Sequence, residues 1–337
     1  MNLPDSAPII DLIEAFRRSK VMFTAVSMGV FDRLRRQPAT AAELAGERHA
    51  HSGAFERLLD TCAALGLLEK RDAVYSVTEI AGHYLCAASP HSLDGYIRYS
   101  DEVLYPMWGR LADAVQEGSP RWKQVFNVDG PIFSGFYRSP EAMRGFVRGM
   151  HGLGMTVSPI AVAAFDLSGF HRMVDLGGAT GHLTIAACER YPQLRGAIFD
   201  LPRVTPLTGE IVAQSTAAAR IDIIDGDFFA DDLPPGDLYA LGRILHDWTD
   251  EKCELLLRKV YDRLPAGGGL LVMEKLLAED GVGPLSANLQ SLNMLIVTEG
   301  RERTLDEYTR LLRAAGFADV EGRTTGAWLD AILARKR

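Results

Sequence analysis

A histidine at the end of an apolar run is a group that could act as a base. In GRILHDWTDEKC, His246 and Asp247 follow Ile244 and Leu245, and Thr249 has the pattern of a helix N-cap. We therefore expect His246 at a strand-to-helix junction. In open α/β sheets, ligands bind just outside the carboxyl ends of the strands. An imidazole there can accept a proton near neutral pH, although a lone histidine more often only packs.

A glycine-rich loop earlier in the chain could bring backbone close to a ligand. The stretch MVDLGGATGHL places Asp175 at the end of an expected strand, followed by Gly177, Gly178 and Gly181. Glycines allow a sharp turn and a close approach to a ligand. The G-x-G-x-x-G pattern of dinucleotide sites fails, because Ala179 stands at the second glycine position. An acidic residue in this turn suits the polar or cationic groups of an amino-acid tail.

Two further aspartates end the next strands in order. Asp200 in IFDLP is placed to accept hydrogen bonds from both hydroxyls of a ribose. Asp227 in GDFF could accept from an adenine amino group, with Phe228 against the ring. No basic residue stands where a pyrophosphate would need one. Together with Asp175, this order favours an adenosine ligand without phosphates, and S-adenosylmethionine fits.

The elements that must position these groups follow a βαβα pattern from Gly169 onward. Short apolar runs alternate with helical segments, which predicts a mostly parallel sheet with helices on both faces. The fourth strand is expected to run from Asp237 to Leu245, and the helix after the glycine loop to begin at Thr180. Upstream, LYPMWGRLADAVQEG predicts one amphipathic helix closed by Gly118. The last residues predict two strands that include an antiparallel edge.

The first hundred residues predict helices with a small β element. Thr40 opens a helix through a capping box, Ser52 opens the next helix, and AVYSVTEIA alternates like a strand. This order is the outline of a winged helix. The preceding stretch IIDLIEAFRRSKVMFTAVSMGVFDRL is apolar on more than one side. It therefore needs a second surface to cover it, which another subunit would supply.

Composition limits the classes of partner. The chain has 337 residues, 47% of them hydrophobic, and a formal net charge of −8, which argues against nucleic acid as the main partner. Its 4 cysteines form no C-x-x-C pair, as expected of a reduced, cytoplasmic protein. We find no signal-peptide pattern and no apolar run near the roughly 20 residues that span a bilayer. No metal is expected, because no histidine and carboxylate cluster has ligand spacing.

The motifs taken together resemble the S-adenosylmethionine-dependent O-methyltransferases of the caffeic acid and acetylserotonin type. The likeness covers nearly the whole chain and is strongest to the acetylserotonin-type members. It rests on DLGGATGHL, GDFF, RILHDWTDEKC, AGGGLLVMEKLL, SLNMLIVTEGRERT, GAWLDAILARK, YRSPEAM and WGRLADAV. The resemblance implies an α/β class I, Rossmann-like methyltransferase sheet behind a mostly helical, winged-helix-like dimerisation domain. It also implies a homodimer and S-adenosylmethionine as methyl donor, with S-adenosylhomocysteine as product and no metal.

The resemblance implies roles for individual residues as well. His246 would be the general base, with Asp247 adjoining it. Glu274 and Glu302 would flank and orient the imidazole. The cofactor would be contacted by Tyr137, Asp175, Gly177, Gly178, Asp200, Leu201, Gly226, Asp227, Phe228 and Arg243. The substrate pocket would be lined by Met150, Asn293 and Met294.

For two of these residues, the neighbouring sequence also bears on the expected role. Glu302 stands just before the capping box that begins at Thr304, so a surface charge is an alternative to a role beside the imidazole. Asn293 is polar on an apolar helical face, which favours a pocket group.

The sequence departs from the family at two places. Ala179 follows Gly178 where the family often has another glycine. The stretch GMHGLGM lacks the aromatic residue that animal relatives offer to the cofactor. Three further histidines show no partner pattern and are expected to be structural or at the surface: His151, His171 and His182.

We therefore expect an O-methyltransferase that acts on a hydroxyl of a small aromatic acceptor, a hydroxyindole or a phenol, by in-line transfer with a histidine base. Residues 1–100 would form the dimerisation domain, 101–165 a helical linker that contributes to the active site, and 166–337 the catalytic domain. Two alternatives stay open: a methyltransferase-fold enzyme that decarboxylates or hydroxylates, and a non-catalytic, ligand-sensing regulator. No membrane contact is expected.

Overall fold

The computed structural model describes residues 3–337, which divide into two compact units, one up to Tyr105 and one from Pro106. The first unit is mostly helical. Its helices are α1 Ala7–Ser27, α2 Val30–Arg36, α3 Ala41–Glu47, α4 Ser52–Ala64, α5 Glu79–Tyr84 and α6 Asp94–Tyr99, followed by a π-helical turn Ser100–Leu104. Three antiparallel strands in the order β1-β3-β2 complete the unit. Their bounds are β1 Ala39–Thr40, β2 Leu68–Arg71 and β3 Val74–Val77.

Helices α3 and α4 with the β2–β3 hairpin form the predicted winged-helix outline. The capping box of α3 is confirmed, because the Thr40 hydroxyl accepts from the Glu43 N–H and the Glu43 carboxylate accepts from the Thr40 N–H. Helix α4 begins at Ser52 as predicted. Its N-cap is His51, whose Nδ1 accepts from the Ala54 N–H at 3.2 Å.

Helix α1 keeps much of its apolar surface exposed within this unit. Its exposed large side chains are Ile9, Ile10, Leu12, Ile13 and Phe16. Covering such a surface is favourable by roughly 25 cal/mol for each Å² of apolar area removed from water. None of the helices within residues 3–337 is both long and apolar enough to cross a membrane.

The second unit is built on a 7-stranded sheet. Its strands are β4 Arg172–Leu176, β5 Arg195–Asp200, β6 Ile221–Asp225, β7 Leu238–Gly242, β8 Gly269–Glu274, β9 Asp319–Arg323 and β10 Asp330–Arg335. They lie in the order β6-β5-β4-β7-β8-β10-β9, and neighbours are parallel except at β10, which is antiparallel to β8 and β9. The predicted mostly parallel sheet with an antiparallel edge is confirmed. Strand order reverses beside β4, so a crevice opens at the carboxyl ends there.

Helices lie between and before the strands of this sheet. They are α7 Tyr105–Trp108 (which spans the unit boundary), α8 Leu111–Glu117, α9 Trp122–Phe126, α10 Phe133–Phe136, α11 Pro140–Ala163, α12 His182–Arg190, α13 Thr205–Val212, α14 Asp250–Arg263, α15 Leu285–Val297 and α16 Leu305–Ala315, with 3₁₀ turns Ala218–Arg220 and Leu245–Asp247. The main core packs buried residues of β4, β7 and β8 against α14 and α16. Burial on both faces explains why these strands consist mostly of apolar residues.

Strand β7 is shorter than predicted. The strand expected to reach Leu245 ends at Gly242, because Arg243 adopts a left-handed conformation with φ +59°. Such a backbone cannot continue a strand. The N–H groups that follow are donated to the carboxylate of Glu274 instead of to a neighbouring strand.

Two helix predictions are also wrong in their bounds. The helix expected from Thr180 begins at His182, because Gly181 is its N-cap with φ +77°. The single helix expected up to Gly118 is divided into α7 and α8 at residues 109–110, where a glycine weakens the helix. Gly118 does close α8 in a left-handed conformation, as predicted.

Candidate active site

The turn between β7 and α14 holds the predicted base. Residues Leu245–Asp247 form one turn of 3₁₀ helix. Oε1 of Glu274, the last residue of β8, accepts from the N–H groups of Ile244 at 3.0 Å and Leu245 at 2.9 Å. The N–H of His246 is 3.4 Å from the same atom. Glu274 therefore binds the backbone of this turn through Oε1, in addition to its expected place beside the imidazole.

The imidazole of His246 lies against a second glutamate. Its Nδ1 atom is 2.7 Å from Oε1 of Glu302 and 3.3 Å from Oε2 of Glu274. Its Nε2 atom is 3.7 Å from Oδ1 of Asp247, beyond hydrogen-bond length. Glu302 is 0% exposed and His246 2%, so the alternative of a surface charge at position 302 is wrong. A carboxylate on Nδ1 orients the ring and leaves Nε2 as the nitrogen that can take a proton.

Burial dominates the electrostatics of this cluster. It raises the pKa of Glu302 to about 8, against the opposing charges of Arg243 and Arg303. It raises the pKa of Glu274 to about 7 and that of Asp247 to about 6. These carboxyl groups also disfavour one another's ionisation, because like charges lie close together. These buried carboxyl groups therefore keep their protons to higher pH than exposed carboxyl groups do.

The same cluster has the residue types of a metal site. His246, Glu274 and Glu302 offer ligand atoms within 4.8 Å of one another, and no other such group occurs among residues 3–337. Sequence spacing does not reveal it, because the three residues come from separate elements. In this structure Nδ1 of His246 is hydrogen-bonded to Glu302, and Oε1 of Glu274 is engaged by backbone N–H groups.

These raised pKa values lead to a prediction on stability. A carboxyl group whose pKa is raised by folding binds its proton more tightly in the folded state. Its contribution to stability is complete at low pH and is lost as pH rises through the raised pKa. Between about pH 6.5 and the raised pKa of Glu302, we expect the free energy of unfolding of the ligand-free protein to fall by on the order of 1–2 kcal/mol. Burial lowers the pKa of His151 and His182, which makes the free energy of unfolding rise with pH. This opposite effect is confined to pH values below their ordinary pKa near 6.5. Denaturant titrations at several pH values measure this slope.

Two variants test whether Glu302 causes this dependence of stability on pH. Glu302→Gln removes the titrating group, so its stability should depend less on pH over the same interval. Burial tends to raise the pKa of Glu307, but hydrogen bonds from the Thr304 N–H and from Arg301 lower it, and the net shift is downward. Glu307 therefore does not titrate in this interval, and Glu307→Gln should show the same dependence of stability on pH as wild type. A wild-type stability that rises over the interval, or equal slopes in wild type and Glu302→Gln, would contradict the expectation.

The glycine loop and Asp200 are joined at the carboxyl ends of β4 and β5. Oδ2 of Asp200 accepts from the Ala179 N–H at 2.7 Å, and Oδ1 accepts from the Leu201 N–H at 2.7 Å. The Gly226 N–H donates to the backbone carbonyl of Asp200 at 2.9 Å. Burial raises the pKa of Asp200 to about 6. Each carboxylate oxygen keeps a second lone pair for a ligand hydroxyl.

Asp175 lies beneath the glycine loop and binds its following helix. Its Oδ2 accepts from the Thr184 hydroxyl at 2.8 Å, and it is 2% exposed. Burial raises its pKa to about 7. A Cβ atom on Gly178 would lie 2.7 Å from the carboxyl carbon of Asp175, so glycine is required there. These contacts suit the expected role of Asp175 in ordering the loop, and its expected contact with the ligand stays a prediction.

The other end of the loop packs under an aromatic side chain. Gly177 has φ +67°, and a Cβ atom there would lie 3.2 Å from Phe228 and 2.7 Å from Ile244. Ile244 precedes the turn that holds the base, so loop and base adjoin. Asp227 follows the end of β6 by two residues and accepts from the Phe229 N–H at 2.8 Å.

Tyr137 lies close to the same edge. It follows α10, and its ring stacks on Phe133 at 5.4 Å between centroids. The guanidinium of Arg203 is 5.3 Å from the ring centroid. Burial and the negative charge of Asp200 raise the pKa of the Tyr137 hydroxyl, which keeps it protonated as a hydrogen-bond donor.

The predicted substrate-pocket residues come from α11 and α15. Oδ1 of Asn293 accepts from the indole N–H of Trp108 at 2.9 Å. An indole can only donate, so the amide NH₂ of Asn293 must face away from it. Met294 is 3% exposed. Nη1 of Arg243 lies 3.0 Å from the sulfur of Met150, which links α11 to the end of β7.

Two histidines beside the loop have partners that the sequence did not indicate. Nδ1 of His151 is 2.9 Å from the Thr180 hydroxyl, and Nδ1 of His182 is 2.8 Å from the Ser158 hydroxyl. Burial lowers the pKa of both, so they remain uncharged at neutral pH. The His182 ring fills the space above Gly154, where a Cβ atom would lie 2.3 Å from it. An imidazole from α12 thus packs closely against the GMHGLGM stretch of α11.

Comparison with known families matches both units. The O-methyltransferase domain family matches residues 108–318, and the O-methyltransferase dimerisation domain family matches residues 10–86.

Individual relatives align along nearly the whole chain. The chain is 42% identical to acetylserotonin O-methyltransferase of Bos taurus over 328 residues, which cover 95% of each protein. It is 37% identical over 313 residues to 3-hydroxy-5-methyl-1-naphthoate 3-O-methyltransferase of Streptomyces sahachiroi, covering 93% of this chain and 89% of the relative. The crystal structure of human N-acetylserotonin methyltransferase in complex with SAM matches with a TM-score of 0.94 and 40% identity, covering 100% of this chain and 99% of that one.

Proposed function

This chain belongs to the O-methyltransferase family, and from that membership we propose that it transfers the methyl group of S-adenosylmethionine to a hydroxyl of a small aromatic acceptor. His246 is the general base. The observation that carries the proposal is the buried contact of 2.7 Å between His246 and Glu302, on a turn that adjoins the glycine loop.

His246, Glu302 and Glu274 have separate roles in deprotonation of the acceptor. A phenol has a pKa near 10, so its hydroxyl needs a base at neutral pH. Nε2 of His246 takes that proton when Glu302 is ionised, because the carboxylate of Glu302 then accepts from Nδ1 and stabilises the imidazolium. Burial raises the pKa of Glu302 to about 8, so this ionised form becomes more populated as pH rises toward that value. Glu274 holds the backbone so that the ring does not move during the transfer. The bound donor supplies a methyl group on a positively charged sulfur, which the deprotonated oxygen attacks in line.

The residues at the strand ends suit this methyl donor. Asp200 has free lone pairs for ribose hydroxyls, and Phe228 offers a ring face beside Gly177. In their ionised forms the carboxylates of Asp200 and Asp247 carry the negative charge that would attract a cationic sulfur placed near them. The relative bound to SAM supports the same assignment. Tyr137, Leu201, Gly226, Asp227 and Arg243 complete the proposed cofactor contacts.

The pocket side chains favour an acceptor that has a second oxygen. The Asn293 amide NH₂ is a donor that Trp108 cannot satisfy, so it suits a carbonyl or carboxylate oxygen of the substrate. The names of two relatives contain such groups, the acetyl of acetylserotonin and the carboxylate of a naphthoate. We infer a hydroxyindole or phenol that has a carbonyl oxygen away from the reacting hydroxyl, with Met150 and Met294 against its ring.

We also propose that the chain works as a homodimer through its first unit. Residues 10–86 match a dimerisation domain, and α1 exposes a row of large apolar side chains. Residues 101–165 act as the linker that supplies Trp108, Tyr137 and Met150 to the site.

A decarboxylase, a hydroxylase or a ligand-sensing regulator would not need the buried pair of His246 and Glu302, which counts against these alternatives.

A methyl-transfer screen tests the proposal. The purified protein is incubated with S-adenosylmethionine labelled on the methyl group and a panel of hydroxyindoles and phenols, each with and without a carbonyl side group. We expect label to appear on the hydroxyl of at least one carbonyl-containing acceptor, and no loss of rate when a chelator is added. Binding of S-adenosylhomocysteine without transfer to any hydroxyl would refute the activity. Loss of activity on chelation, restored by a divalent ion, would refute the metal-free base.

A further inference from the structure

A buried arginine binds backbone carbonyls of the turn that holds His246. Arg303 is 1% exposed. Its Nη1 donates to the carbonyl of Leu245 at 2.9 Å, and its Nη2 donates to the carbonyl of Trp248 at 2.9 Å. These carbonyls lie on either side of His246 in the chain. Glu274 therefore binds donors of the turn while Arg303 binds its acceptors.

Further contacts fix the guanidinium itself. Oδ1 of Asp250 accepts from Nε at 2.9 Å and from Nη2 at 2.6 Å. The ring of Tyr308 lies 5.9 Å from the guanidinium carbon. The carbonyl of Arg303 accepts from the Leu277 N–H at 3.0 Å, which ties this segment to the residues after β8. Arg303 is thus held on several sides.

The segment that contains Arg303 also sets the position of Glu302. A Cβ atom on Gly300 would lie 2.3 Å from the carbonyl oxygen of His246 and 2.6 Å from the backbone nitrogen of Trp248. The segment and the turn therefore touch backbone to backbone. Glu302 and Arg303 are neighbours in the chain, so one short segment supplies both the carboxylate on Nδ1 and the guanidinium on the turn.

We propose that Arg303 is a positioning residue for the general base. It holds the turn so that Nδ1 of His246 stays on Glu302 and Nε2 keeps one direction toward the acceptor. The planar guanidinium is needed, because its several N–H groups reach two carbonyls and a carboxylate at once. A lysine has the same charge but lacks this fork geometry. The functional consequence rests on the proposed methyl transfer, whereas the effect on the imidazole does not.

The test compares Arg303→Lys with Arg301→Met. Arg301 lies two residues away, and its side chain is 43% exposed. It pairs with Glu307 at 2.8 Å and with Oδ2 of Asp250 at 3.5 Å, whereas Arg303 binds Oδ1 of Asp250. The readouts are kcat and KM, calorimetric binding of S-adenosylhomocysteine, and nitrogen NMR of the His246 ring, assigned by comparison with His246→Gln. Arg303→Lys should lower kcat on the order of 100-fold and change the Nδ1 signal, because a displacement near 1 Å can have such an effect. The affinity for S-adenosylhomocysteine should stay within about twofold, and Arg301→Met should resemble wild type in every readout.

A milder variant keeps the inference testable if Arg303→Lys does not fold. Asp250→Ala removes the partly exposed anchor of the guanidinium, and kcat should fall about tenfold with the same change in the Nδ1 signal. An unchanged Nδ1 signal in the folded variants, with kcat at wild-type level, would overturn the inference. A parallel loss of kcat and S-adenosylhomocysteine affinity, with a wild-type Nδ1 signal, would also overturn it. If wild type transfers no methyl group at all, the proposed function fails, while the Nδ1 comparison still decides the role of Arg303.

Discussion

We expect His246→Gln to lower kcat for methyl transfer by about 10²- to 10⁴-fold, the usual contribution of a general base. Glutamine keeps a side chain of similar size but cannot accept the acceptor's proton. Glu274 binds the backbone of the turn, so the fold there should persist. Rates are measured with the best acceptor of the screen, and S-adenosylhomocysteine binding is measured by calorimetry. The affinity should stay near the wild-type value, because Asp200 and the glycine loop are unchanged.

His171 supplies the matched control. Its side chain is 84% exposed, and it pairs with Asp237 at the opposite end of β4 from the glycine loop. His171→Gln should keep wild-type kcat. If His246→Gln also kept it, the turn would be scaffold and the proton would leave by another route. A pH–rate profile adds a second check, because an acceptor that is already ionised at high pH should recover part of the lost rate in His246→Gln.

The second large effect is expected for Asp200→Asn, which should weaken S-adenosylhomocysteine binding by about 10²- to 10⁴-fold. The carboxylate binds the loop through the Ala179 N–H and has lone pairs left for two ribose hydroxyls. The loss of two hydrogen bonds to a charged group at roughly 1.5–3 kcal/mol each gives this range. An asparagine also turns an NH₂ group toward one of the donors, which opposes closure of the loop. Calorimetry measures the affinity and thermal unfolding monitors the fold.

Asp225 is the control for that substitution. It pairs with Asp200 in register at the end of β6, and its carboxylate accepts from the Thr205 hydroxyl at 2.6 Å. Asp225→Asn should leave the affinity within about twofold of wild type, since no ligand role is proposed for it. Equal losses in the two variants would mean that strand-end charge in general, and not the Asp200 site, governs binding. Unchanged binding in Asp200→Asn would remove Asp200 from the cofactor site.

Local patterns in the sequence were enough to predict the architecture of the second unit. Alternating apolar runs and helical segments from Gly169 predicted the parallel sheet and its antiparallel edge. The N-caps at Thr40, Thr249 and Thr304 were also predicted, because a cap depends on residues within one turn. Two of the three boundary errors arose where one residue has a positive φ, at Gly181 and Arg243. A positive φ at an arginine has no sequence signature.

The sequence by itself therefore determined the fold class, the family and the strand ends at which the chemistry is proposed. The resemblance implied that Glu302 flanks His246, but no local pattern did, and only the tertiary structure shows which atoms meet. Glu302 reaches His246 across 56 residues, and Trp108 reaches Asn293 across 185. Helix caps and apolar periodicity act over a few residues, whereas such contacts depend on how whole elements pack and on the cost of leaving a buried polar group without a partner. Folding thus buries Glu302 beside the imidazole and turns Arg303 onto the carbonyls of the same turn.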